Sequence, residues 1–109
     1  MYVSITGLKV KGWRQWPRFA WHAVRSLRQA RQAPGNLGAE VRTVDGVQHT
    51  LTLWQSREAM RRYLTSGAHL QAIRDFRKVG SGRTCGYEAE TRPTWAEALA
   101  YWHEHGREY

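Results

Sequence analysis

Apolar and polar positions alternate in register along the chain, and the register changes mark its elements. Val3 and Ile5 alternate with polar neighbours, and the phase shifts around Gly7 before Leu8 and Val10. That predicts a first strand over residues 2–10 with a bulge at the glycine. Over residues 14–32, Trp16, Ala20, Ala23, Leu27 and Ala30 recur at spacings of four and three, the apolar stripe of a helix. Pro17 fits only in its first turn, and Pro34-Gly35 ends it. Residues 38–44 and 47–54 read as strands around Asp45-Gly46, a strong hairpin signal because both central turn positions need positive φ. On the second of these strands Leu51 and Leu53 share one face, and Thr50, Thr52 and Trp54 the other.

Ser56 is placed to cap a helix carrying Ala59, Met60, Tyr63 and Leu64. Thr65-Ser66-Gly67 breaks that helix, and Ser66 would cap a second piece with Leu70, Ile73 and Phe76. Gly80-Ser81-Gly82 reads as a turn and residues 83–91 as a fourth strand. Thr94-x-x-Glu97 is a capping box for a C-terminal helix with Trp95, Leu99 and Trp102, and the polar tail His103–Tyr109 is expected to fray. The order β-α-β-β-α-β plus a terminal helix is an α+β, ferredoxin-like arrangement in a single domain over residues 1–109. Helices on one face would leave the other sheet face open, so a homodimer through that face is expected.

Composition narrows the function classes. Seventeen Lys and Arg against nine Asp and Glu give a formal charge of +8, with the arginines dispersed. Such a charge admits a nucleic-acid or acidic partner, but its dispersal favours a solvated surface. A lone Cys85 excludes an internal disulfide and a cysteine zinc site, and fits a reducing compartment. No apolar run approaches the roughly 20 residues needed to span a bilayer. The sequence therefore predicts a cytoplasmic protein with no membrane partner. Six Trp and five Tyr suit an aromatic core, or an aromatic-lined pocket for a small hydrophobic ligand.

The run TLTLWQSREAMRRYLTSGAHLQAI carries a pattern of strand-ending Trp, x-Ser, a helix with an aromatic, then Ser-x-x-His. It resembles the antibiotic biosynthesis monooxygenase-like, dimeric α/β-barrel superfamily. SITGLKVKGWR, QAPGNLG, RPTWAEAL and HGR are similar to small bacterial proteins grouped near spheroidene monooxygenase. The resemblance covers almost the whole chain and implies a dimeric α/β barrel. The superfamily includes cofactor-independent quinone-forming oxygenases, heme-degrading monooxygenases, and members without a known reaction. For the heme-degrading members the resemblance places an Asn near Gly7, a Trp at Tyr63 and a His at Ile73. None of the three is present, so heme is not expected, and the resemblance implies no cofactor.

Four residues stand out as site candidates. His69 is a candidate general base, Tyr63 a candidate catalytic partner, and Trp54 and His22 candidate pocket walls. The plainer reading of Trp54 is packing between strand and helix, and of His69 and His22 a satisfied or half-exposed imidazole. His103-x-His105 has no partner of fixed spacing, so no metal site is expected. An oxygenase without a cofactor needs a substrate that itself forms a stabilised carbanion, and the protein supplies a base, an apolar cavity and orientation. The alternatives are a non-catalytic ligand-binding or scaffold dimer on the same fold and, less favoured, a basic nucleic-acid or acidic-partner binder.

Overall fold

The computed structural model describes residues 1–67, 74 and 80–108, without the side chain of Trp13. Strand β1 (Tyr2–Val10) leads through a 3-10 turn into α1 (Trp16–Gln32). Then follow the hairpin β2 (Asn36–Val44) and β3 (Val47–Trp54), helix α2 (Arg57–Leu64), β4 (Gly80–Glu88), α3 (Trp95–His105) and the short β5 (Arg107–Glu108). The described strands form one antiparallel sheet in the order β2-β3-β1-β4-β5. This is the ferredoxin-like α+β arrangement the sequence predicts.

The local chemistry explains most of the boundaries. Asp45 and Gly46 take φ of 51° and 78°, the left-handed pair that a two-residue hairpin of matching twist requires. Ser56 accepts a hydrogen bond from the Ala59 amide at 3.2 Å and opens α2. Thr94 and Glu97 complete a reciprocal capping box on α3. No described helix is long and apolar enough to cross a membrane.

Several expectations are corrected. β1 runs without a register shift through Gly7. Its glycine makes room instead: a Cβ there would run into the Trp102 ring and lie 2.8 Å from His49 Cε1. β4 begins at Gly80, not at residue 83, because the low strand propensity of its glycines hides a segment that pairs with Leu8–Val10. The stripe of α1 is rotated. Phe19, His22 and Ala30 are buried, whereas Trp16 and Ala20 face solvent. The tail does not fray at His103: α3 continues to His105, and Arg83 donates to the Gly106 carbonyl at 2.9 Å while β5 pairs with β4.

The sheet is covered on both faces. α1 and α2 lie on one, where Tyr2, Ala30, Trp54, Ala59, Met60 and Tyr63 pack together. α3 lies on the other, where Ala98 and Trp102 close over Val3, Ile5, Leu51 and Leu53. That second face, expected to be open, is thus partly occupied by the chain's own last helix. Each of these four strand residues is at most 2% exposed. Trp102 fixes the helix by donating its indole N–H to the Arg83 carbonyl at 2.8 Å.

Candidate functional site

Between the sheet and the helix pair α1/α2 lies a cavity of about 320 Å³. Its floor follows from strand alternation. Ser4, Thr6, Thr50, Thr52 and Thr84 all point to the same side of the sheet, because directly paired residues share a face. The floor is therefore a field of hydroxyls. Thr6 and Thr84 Oγ1 lie 3.1 Å apart in a hydrogen bond, and Thr52 Oγ1 accepts from the Trp54 indole N–H at 2.9 Å. The ceiling is mostly apolar: Phe19, Leu27 and Ala30 from α1, Met60 and Leu64 from α2. Exposed Ala23 and Val41 form part of its rim.

Three of the four site candidates come together here. His22 is buried and lines the cavity from α1. Tyr63 lines it from α2, with its hydroxyl donating to the Ser26 carbonyl at 2.9 Å. Trp54 is fully buried and does not line the cavity; it stacks on Tyr63, centroids 5.2 Å apart and planes at 29°. It backs the wall rather than forming it. His69 lies outside the described residues, as do Leu70, Ile73 and Phe76 of the expected second helical piece; of that piece Gly67 and Arg74 are described, both as helix. The joint before it is tied to α1, since the Gln29 amide donates to both the carbonyl and the hydroxyl of Ser66.

Sequence reasoning missed Ser26. The residue lines the cavity, and its hydroxyl is buried with no hydrogen-bond partner among the described residues. Most buried polar atoms are hydrogen-bonded, so this one stands out. The rotation of the α1 stripe was the missing signal: Phe19, His22, Ser26 and Ala30 follow one another at spacings of three, four and four.

A second aromatic cluster lies across the sheet. His49, 3% exposed, packs edge-on against Trp102 with centroids 4.7 Å apart. Burial holds its imidazole below the usual value, an effect opposed by the Thr6 backbone and reinforced by His103. Cys85 is half-buried, and burial pushes its thiol up to about 11, so it is a poor thiolate nucleophile near neutral pH. Among the described residues no group of three or more His, Cys, Asp or Glu could hold a metal ion.

No family model matches the sequence, and no curated protein matches it. Solved structures do match. SnoaB, a cofactor-independent oxygenase from Streptomyces nogalater, superposes with a TM-score of 0.67 at 18% identity, over 86% of this chain and 95% of that one. A Deinococcus radiodurans protein assigned provisionally to the antibiotic biosynthesis monooxygenases gives 0.74 at 21% identity, over 86% and 97%. An antibiotic biosynthesis monooxygenase gives 0.73 at 14% identity, over 84% and 100%. At these identities the likeness is one of fold. The chain has the architecture of the antibiotic biosynthesis monooxygenase-like structures, and its cavity lies between the sheet and helices α1 and α2 of that architecture.

Proposed function

We propose that the protein is a cofactor-independent monooxygenase for a small aromatic or polyene-like hydrophobic substrate, held between the sheet and helices α1 and α2. The carrying observation is the cavity: about 320 Å³, apolar above, hydroxyl-lined below, with the buried His22 imidazole in its wall. That volume is at the lower end of small-molecule sites. The fold it shares with a cofactor-independent oxygenase supports the same reading.

For a phenolic substrate the steps balance without a cofactor. His22 takes the hydroxyl proton, and the ring becomes an electron-rich anion. That anion passes electron density to dioxygen, and a carbon–oxygen bond forms to give a hydroperoxide, protonated by the imidazolium. Loss of water leaves a carbonyl on the ring. One oxygen atom enters the product and the other leaves as water with the two hydrogens the substrate gives up. The protein's part is to hold and move the proton, to keep bulk water away from the anion, and to orient the ring. Tyr63 and the threonine floor orient the substrate. Trp54 stiffens Tyr63. His69, the base expected from the sequence, is proposed as a second base.

Oxygen uptake with a panel of quinols and naphthols tests the reading. Uptake by wild type, reduced strongly in His22→Ala, supports it. Tight binding of panel members with no uptake by any variant gives the site to the non-catalytic reading instead, which the donation of the Tyr63 hydroxyl to Ser26 favours. We further propose a homodimer that uses what α3 leaves of its sheet face, where Val47, Tyr87 and Leu99 remain half-buried. Light scattering at several concentrations reads it directly.

A further inference from the structure

The basic residues are dispersed but the acidic ones are not, so the net charge is concentrated in one part. Residues 1–39 contain seven Lys and Arg and no Asp or Glu; the remainder carries ten against nine. Almost the whole excess of +8 therefore belongs to β1, α1 and the turns beside them. α1 itself bears Arg18, Arg25, Arg28 and Arg31 with no carboxylate.

The same helix exposes apolar side chains. Its inner face is committed to the cavity through Phe19, His22 and Ala30. Its outer face, half a turn away, presents Pro17, Ala20, Trp21 and Val24 with Arg28. Trp21 is 54% and Val24 55% exposed, and Trp16 on the flank 41%. Arg25 lies over the Trp21 ring, 4.4 Å from its centroid. A solvated face has no use for an exposed tryptophan and a valine one helical turn apart.

We propose that the outer face of α1 docks on an anionic lipid surface. Indole rings settle at the boundary between headgroups and acyl chains, valine and proline enter it shallowly, and the surrounding arginines meet lipid phosphates. A purely polyanionic partner such as duplex nucleic acid would use the arginines but would gain little from Val24 and Pro17. The expectation of no membrane partner rested on the lack of a spanning run, and a surface contact needs none. The inference stands apart from the oxygenase reading, since it rests on the outer face of the helix and not on the cavity. Docking would nonetheless bring the rim at Ala23 close to the lipid.

Co-sedimentation of the full chain with vesicles tests it, using phosphatidylcholine alone and phosphatidylcholine with phosphatidylglycerol. Binding is expected only to the anionic vesicles and should weaken as salt rises. Arg28→Glu should weaken it roughly tenfold, as expected from the loss and reversal of one interfacial charge. The pair Trp21→Ser and Val24→Ser should do the same while leaving the circular dichroism spectrum and oligomeric state unchanged. The proposal is overturned by failure to bind anionic vesicles. It is equally overturned if the paired substitution leaves vesicle binding intact while duplex DNA binds as well as lipid. A change of oligomeric state in that paired variant would give this face to a second copy and overturn it too.

Discussion

Trp54 and Tyr63 stack with ring centroids 5.2 Å apart, and each directs its polar atom to a neighbour that lines the cavity. The indole N–H goes to Thr52 on the floor, the phenol O–H to the Ser26 carbonyl in the ceiling. The pair is a strut between the two walls. Trp54→Ala should lower the unfolding free energy by about 3–5 kcal/mol, as fully buried aromatics do. Tyr63→Phe keeps the strut and removes one hydrogen bond, so a loss of about 1 kcal/mol is expected. Chemical denaturation measures both, and similar losses in the two variants would argue against the strut.

Occlusion of the cavity should separate binding from folding. Ala23 lies exposed at the rim, so Ala23→Trp places bulk across the opening without disturbing the core. Its stability should stay within about 0.5 kcal/mol of wild type. Affinity for any aromatic ligand of the cavity should drop at least about tenfold, measured by calorimetry with a panel member. Unchanged affinity would place the ligand elsewhere.

His49 should make the fold sensitive to mild acid. Its imidazole titrates below the ordinary histidine range in the folded chain because burial penalises the charged form. Between the folded and unfolded values the unfolded chain binds more protons, so stability rises with pH across that window. The contribution is complete above about pH 6.5 and declines as pH falls from there towards the folded value. Thermal melts across this range should show the decline, and His49→Gln should reduce its slope. An identical slope in the variant would move the effect to another group.

Gly7→Ala should destabilise by about 1–3 kcal/mol, the usual range for an overpacked core. A methyl there meets both the Trp102 ring and His49. The near-ultraviolet dichroism of Trp102 should change with it. Thr94→Ala removes the capping box of α3 and should cost about 1 kcal/mol, read as a lower melting temperature.

Local signals made most of the fold legible. The Asp45-Gly46 turn, the Ser56 cap and the Thr94/Glu97 box each act over a few residues, so the sequence alone announces them. What could not be seen depends on packing between distant segments. Gly7 looks like a bulge until Trp102, far along the chain, is known to lie over it. Gly80 and Gly82 look like a turn until Val10 and Leu8 pair with them. The α1 stripe misled for another reason: the helix has apolar residues on both faces, and periodicity cannot say which meets the sheet. Of the site, Tyr63 was legible as the aromatic within the resembling run, and His22 as an imidazole between stripe residues of the first helix. The role of Trp54 as backing, and the unpaired Ser26 hydroxyl, needed the three-dimensional arrangement.

The threonine floor has a consequence for how such a cavity changes over time. Thr6, Thr50, Thr52 and Thr84 are β-branched, stiff at χ1, and anchored in a paired sheet. They set a fixed lower surface whose hydroxyls cannot easily be moved. The ceiling and rim are made of side chains on helices that are not branched at Cβ, where Ala23, Leu27, Ala30 and Leu64 can be exchanged singly for larger or smaller neighbours. Descendants of this chain could therefore acquire new ligand shapes by helix substitutions alone, each keeping the same hydroxyl pattern beneath.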